Sequence, residues 1–144
     1  MIMPATEQQH TALIDLWERS VRATHFFLPE DYLQTIKKLL PSILPAVGLF
    51  VYLNEDKSIS GFMGVASRKI EMLFIDPSRM GKGIGRLLVQ YAIEKLQANE
   101  VDVNEHNREA TQFYLHLDFI QKGRSETDGL GKPFPLLHLQ LVKK

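Results

Sequence analysis

Gly81, Gly83 and Gly85 stand at alternate positions in the stretch Glu71 to Leu88, EMLFIDPSRMGKGIGRLL, with Arg79, Lys82 and Arg86 around them. Glycine has no Cβ, so this spacing lets backbone N–H groups crowd an anion, and the cationic side chains bring charge to the same place. The chemistry this suits is phosphate binding. Met72, Leu73, Phe74 and Ile75 before the loop are apolar enough for a buried strand, stopped at Asp76-Pro77 because proline cannot donate to a ladder. An apolar helical pattern follows the glycines, and the opening turn of that helix adds unpaired donors and a positive dipole end.

Two other glycine loops fail on particular residues. A Walker loop ends in Gly-Lys-Ser/Thr, whose hydroxyl serves magnesium, whereas Gly85 is followed by Arg86-Leu87. A dinucleotide fingerprint needs its third glycine at residue 86, which is arginine. Asp102 lies about the right distance downstream to bind a ribose hydroxyl, but Val101-Asp102-Val103 puts it in the middle of a strand. The remaining reading is a pyrophosphate cradle for another cofactor, with a nicotinamide-dinucleotide binder as rival.

The stretch resembles the acetyl-coenzyme A signature of the GCN5-related N-acetyltransferases (GNAT), a strand, a Gln/Arg-x-x-Gly-x-Gly/Ala loop and a helix. Here the signature reads Met80-Gly81-Lys82-Gly83-Ile84-Gly85, with methionine at the Gln/Arg position and Arg79 beside it. A second family pattern is similar to Asn104 through Tyr114, NEHNREATQFY, followed by Asp118-Phe119 where members usually carry Gly-Phe. The segments Thr24 to Leu28 and Asp128 to Leu137 look like the YjaB-like bacterial branch of that family. The resemblance spans Met1 to Val142. It implies an α/β fold, mixed α+β, whose mostly antiparallel splayed sheet of about seven strands carries helices on both faces. One acetyltransferase domain would fill residues 1–144. Also implied are acetyl-CoA as cofactor and direct transfer through a ternary complex. The acceptor would be a primary amine on a small metabolite, an amino acid, or a peptide or protein lysine, and homodimers are frequent in the family.

Making an amide from a thioester requires a neutral amine, a stabilised oxyanion and a protonated leaving thiolate. The resemblance assigns the thiolate to Tyr114, and assigns Asn107 an amide contact to the cofactor, with Asn104 and Phe113 on the same wall. Aromatic packing competes with the role for Tyr114, and helix capping with the role for Asn107. The resemblance also implies a pantetheine arm in the gap of the splayed sheet, pairing with backbone groups of Leu73 and Ile75 as an added strand would, with Phe74 among the cofactor-binding residues. Ile84 completes the cofactor loop. Glu71 is the candidate base, acting through water from the side of Leu73 and Ile75, against a reading as a solvated charge beside Lys69 or Arg68. His25 and Phe27, in an unusually apolar connector, and Asp128, in a long loop, are the expected acceptor residues. A histidine can take an amine proton near neutral pH and an aspartate can hold a cationic amine. An idle acyl-CoA-binding module is the other alternative, suggested by Met80 and Asp118.

The chain of 144 residues is the size of one domain with an adequate core. Its 17 basic and 17 acidic residues balance, which leaves no global field for nucleic acid. With no cysteine, a cysteinyl acyl-enzyme is excluded. No export signal, membrane span or metal-ligand spacing is legible, and His10, His106, His116 and His138 read as surface or packing residues; a cytoplasmic protein is expected.

Apolar spacing predicts an edge strand over Met1 to Ala5 and a capping box at Thr6-Glu7-Gln8-Gln9. A helix with Leu13, Leu16, Trp17, Ser20 and Val21 inward follows, then a second from Pro29, ending before Pro41. Strands at Gly48 to Leu53, Ile59 to Ala66 and Ile70 to Ile75 form a meander. After the glycines a helix runs to about Ala98 with Leu87, Leu88, Tyr91, Ala92 and Leu96 inward. There follow a strand at Val101 to Val103, a helix from Glu105 or His106 to Leu117, a strand at Phe119 to Lys122, a loop from Gly123 to Pro135 and a strand at Leu136 to Val142.

Overall fold

The computed structural model describes residues 1–142. The elements are β1 (Ile2–Pro4), α1 (His10–Thr24), α2 (Glu30–Ile43), β2 (Gly48–Leu53), β3 (Ile59–Ala66), β4 (Lys69–Ile75), α3 (Ile84–Leu96), β5 (Glu100–Asn104), α4 (Arg108–His116), β6 (Phe119–Ser125) and β7 (Leu136–Leu141). The strands form one sheet in the order β1-β2-β3-β4-β5-β7-β6. Every junction is antiparallel except β4 against β5.

That parallel junction is short. It pairs Lys69 with Glu100 and Ile70 with Val101, after which the strands part into a fork. A crossover connection is required between parallel neighbours, and the glycine loop with α3 supplies it.

Two cores lie on opposite faces of the sheet. Leu13, Leu16, Trp17 and Val21 of α1 and Leu33 and Leu40 of α2 pack on Leu49, Val51 and Phe62. On the other face Ile84, Leu88, Val89 and Ala92 of α3 and Tyr114 of α4 cover Met63, Ile70, Val101, Val103 and Leu139. The predicted inward face of α1 is buried residue for residue. On α3 the stripe is rotated: Val89 is fully buried and Leu87 is 46% exposed, because the helix starts only at Ile84 and seats Ile84 and Leu88 one turn apart on the sheet.

The helix expected to stop before Pro41 runs through it to Ile43. Proline withdraws the N–H that the Lys37 carbonyl would have accepted, but Pro41 lies on the exposed side. Leu40 and Leu44, four residues apart, are both buried on the α1 side, and their burial outweighs the lost bond. The strand at Phe119 extends to Ser125, so the long loop shrinks to residues 126–135. Asp118 adopts φ +72°, the left-handed turn for which the family uses glycine.

Pro41→Ala restores the missing donor while losing some unfolded-state restriction, so the free energy of unfolding is expected to rise by about 1–2 kcal/mol in urea titration. A fall would mean that the proline, and not Leu40 and Leu44, sets the course of α2.

Candidate active site

Asp76 turns the end of β4 toward the glycines. Its Oδ1 accepts from the Ser78 N–H at 3.0 Å and the Ser78 hydroxyl at 2.8 Å, while Oδ2 takes Arg19 of α1 at 2.7 Å. Burial opposes ionisation of Asp76, but these donors hold its carboxyl below the usual carboxylate range. The loop then passes Gly81 at φ +76° and Gly83 at φ +81°, both left-handed, with open space where a Cβ would project. Gly83 is also the N-cap of α3, so the first N–H groups of that helix face the opening unpaired. Gly85 serves packing instead: a Cβ there would lie 3.3 Å from the Phe113 ring.

The cradle opens into a cleft of about 560 Å³ that runs through the fork. One wall is Leu73, Phe74 and Ile75 of β4 with Arg79, Met80, Gly81, Gly83, Ile84, Gly85 and Arg86. The facing wall is Asn107, Glu109, Ala110, Phe113, His116 and Leu117, and Ser20, Thr24 and His25 of α1 close the end. Ser20, Thr24, Glu109, Ala110, His116 and Leu117 were missed in the sequence; Ser20 and Thr24 follow the helical spacing of α1 and carried no separate signal. Arg79 reaches the cleft beside Met80, so a cation does stand near the position where the signature expects Gln or Arg. Glycine turns, unpaired helix amides and two arginines are a donor set that fits a pyrophosphate.

His25 is held by a chain of donors. The Thr24 hydroxyl donates to the Ser20 carbonyl at 2.8 Å, which leaves its oxygen to accept from Nδ1–H of His25 at 2.7 Å. The lone pair is then on Nε2, 3.5 Å from the Asn107 amide nitrogen. Burial pushes the imidazole pKa down to about 4, so the ring is neutral at cellular pH. Asn107 has the helix-capping role in geometry, and its amide nitrogen stands at the cleft beside His25. Its Oδ1 caps α4 at the Ala110 N–H, 3.1 Å away, and this aims the amide nitrogen at the cleft.

Other expected residues lie off the cleft wall. Lys82 is exposed and does not line the cleft. Asn104 spends its side chain on the His106 N–H at 2.9 Å. Tyr114 is buried behind Phe113, edge-on to Phe113 and Phe119 with centroids 5.0 and 5.5 Å away, and burial pushes its phenol pKa up. Glu71 falls at a bulge, where Gly64 pairs with Met72 and Val65 with Ile70, leaving it unpaired and exposed. The bulge resets the alternation, so Ile70 joins the Leu73 and Ile75 core and Glu71 does not follow their side as simple alternation predicts.

Asp128 is occupied. Its Oδ2 accepts from the Tyr32 hydroxyl and its Oδ1 from the Leu130 and Lys132 N–H groups at 3.0 and 2.9 Å, so it holds its own loop against α2 and is not free for an amine. Phe134 of that loop stacks on Tyr32 at 5.2 Å. Phe27 bridges His25, His106 and Phe134 at 5.3 to 6.0 Å, so its ring joins the connector, the turn before α4 and the 126–135 loop. Asp102, weighed as a ribose ligand, is engaged by Lys69 at 2.5 Å and His138 at 2.6 Å.

A family model described as an acetyltransferase (GNAT) domain matches residues 33–134. The chain is 40% identical over 141 residues to the peptidyl-lysine N-acetyltransferase YjaB of Escherichia coli, covering 98% of this chain and 96% of that one. It is 39% identical over 138 residues to the protein of the same name in Salmonella typhimurium, covering 96% and 95%. The solution structure of apo-form YjaB from Escherichia coli superposes with TM-score 0.92 over 100% of this chain and 98% of that chain. The coenzyme A complex of the PaiA N-acetyltransferase from Thermoplasma acidophilum, 19% identical, shares the fold at TM-score 0.73 over 99% and 98%.

The unfolded chain protonates His25 near pH ~6.5 while the folded chain does not until about 4, so stability is full above ~6.5 and falls between those values as pH drops. Relative to His25→Gln, the wild type is expected to lose up to about 3 kcal/mol between pH 7 and pH 4 in denaturant titrations. Parallel curves for the two proteins would remove the buried neutral imidazole.

Proposed function

Because the chain belongs to the GNAT family of acetyltransferases, which use acetyl-CoA, we propose that it moves the acetyl group directly to the side-chain amine of a lysine in a polypeptide. The observation that carries the cofactor part is the glycine-lined start of α3 opening into the fork. Bound acetyl-CoA supplies an acetyl thioester. Gly81, Gly83 and the first amides of α3, with Arg79 and Arg86, would hold its pyrophosphate, and backbone groups of Leu73 and Ile75 beyond the fork would orient the arm. The Asn107 amide nitrogen donates into the same channel.

Tyr114, in the layer behind Phe113, keeps its phenol proton throughout the physiological range because it is buried, and would be the donor for the leaving thiolate. Neutral His25 leaves the acceptor end of the cleft free of a cation that would repel an incoming ammonium group. Glu71, exposed next to the last residue pair of the fork, takes the amine proton through water.

A polypeptide acceptor is favoured over a small metabolite by the names of the 40% and 39% identical relatives. Two apolar side chains on the segments around the mouth agree with it: Phe26 on the connector is 82% exposed and Leu130 on the 126–135 loop is 50% exposed. Acetyl-CoA and free lysine-bearing proteins meet in the cytoplasm, where we place the enzyme. Among the described residues no helix is long and apolar enough to cross a membrane.

Calorimetric titration is expected to show one site for acetyl-CoA and none for NADH; the reverse result would return the loop to the nicotinamide reading. Release of free thiol is expected with a lysine peptide and not with its arginine counterpart, free lysine or a polyamine. Preference for a free amine would overturn the polypeptide acceptor. Tyr114→Phe is expected to lower kcat by about 100-fold with acetyl-CoA affinity within twofold of wild type. An unchanged kcat would take Tyr114 out of the mechanism.

A further inference from the structure

Four side chains on four different strands form a continuous polar tie across the sheet at the root of the fork. Lys69 of β4 meets Asp102 Oδ2 of β5 at 2.5 Å, Asp102 Oδ1 accepts from His138 Nδ1 of β7 at 2.6 Å, and His138 Nε2 lies 2.6 Å from the Ser125 hydroxyl of β6. Lys69 and Asp102 adjoin Ile70, Val101 and Val103, which point into the α3 and α4 core, so the tie lies on the opposite face. The hydroxyl, imidazole and carboxylate follow the order of a hydrolytic triad. Here, though, Lys69 already neutralises the carboxylate that a triad needs to stabilise an imidazolium, so the arrangement serves as a link between strands.

The position of the link matters because of what hangs from each arm. The glycine loop and α3 continue from β4, whereas α4, with Asn107, Phe113 and Tyr114, continues from β5. The angle between these arms is therefore the distance between the two walls of the cleft. Their backbones are joined by two residue pairs, against five or six at the junctions on either side. Asp102 is the first residue of β5 past the last of those pairs, and its side chain reaches back to Lys69 beside it. Beyond the fork the walls meet again where Phe113 rests on Gly85. The two arms are thus held to each other by packing at Gly85 and Phe113 and by the ion pair at the root of the fork. Lys69 is held in its charged form by the hydrogen bond it donates to Asp102, and burial of Asp102 is opposed by the bonds it accepts from Lys69 and His138, which keep its carboxyl below the usual carboxylate range.

We propose that Lys69 and Asp102, extended by His138 and Ser125, are positioning residues that set the width of the cofactor cleft from the back of the fork. The proposal rests on the acetyl-CoA reading of that cleft. Cutting the tie lets β5 and its helix swing relative to β4, which weakens the wall-to-wall grip on the cofactor and leaves the acceptor mouth, built from the connector and the 126–135 loop, largely as it was.

The test compares wild type, Lys69→Met, Asp102→Leu and Lys69→Arg in acetyl-CoA titration calorimetry, steady-state kinetics with a lysine peptide, and thermal melting. Lys69→Met and Asp102→Leu are expected to raise the acetyl-CoA Kd and KM about five- to tenfold with the peptide KM within twofold. Lys69→Arg, which keeps the ion pair, is expected to restore wild-type values. Wild-type binding with unchanged Kd in both truncations overturns the proposal, and so does an equal rise in both KM values or failure of arginine to rescue. Absence of binding by the wild type overturns the cofactor reading and the proposal with it. Should the truncations be insoluble, His138→Leu, which removes the donor to Asp102 and leaves the ion pair, is expected to raise the acetyl-CoA Kd two- to threefold; no change there overturns the tie.

Discussion

Two parallel strands that stay paired for only two residues are the constraint on which the molecule turns. Parallel neighbours need a crossover, and in this chain the crossover is the glycine loop and α3. Parting of the strands then exposes backbone donors and acceptors of Leu73 and Ile75 that any other sheet interior would have paired. The same event that creates unsatisfied backbone also points a helix N-terminus at it. A ligand with an extended amide-bearing arm and a pyrophosphate meets both demands together.

The interior of the cleft is largely apolar, and among the described residues no buried side-chain nitrogen or oxygen lacks a partner. His25 is neutral because burial makes a charge expensive, and the hydroxyl of Thr24 decides which nitrogen bears the proton. Tyr114 is kept protonated by the same physics. Positive charge is confined to the rim, in Arg79 and Arg86, where water pays the solvation of the side chains until phosphate replaces it. A site divided in this way binds charge at one end and handles neutral groups at the other, which suits transfer between a thioester and a deprotonated amine.

The wall beside His25 is assembled from segments far apart in the chain. Phe27, His106, Phe134 and Tyr32 make successive ring contacts, and the Tyr32 hydroxyl on Asp128 secures the loop to α2. These contacts explain why an aspartate suited to hold a cation is not available for one. Its oxygens are committed to a phenol and two backbone amides, and a further ligand would have to displace them.

The residue types and their order in the chain already determined the elements and the cradle. Periodicity places the buried face of α1 on Leu13, Leu16, Trp17, Ser20 and Val21, and three alternate glycines before a helix have few other uses, because both readings depend only on near neighbours. Local spacing could not see the bulge at Glu71, the passage of α2 through Pro41, the commitment of Asp128 or the link from Lys69 to Ser125. Each of these is decided by a partner from another element: Val65 and Gly64 opposite the bulge, the α1 side burying Leu40 and Leu44, Tyr32 at a separation of 96 residues, and His138 two strands from Lys69. A side chain's type sets what it can bind, but which partner takes it is settled only when the chain brings the competitors within hydrogen-bonding reach.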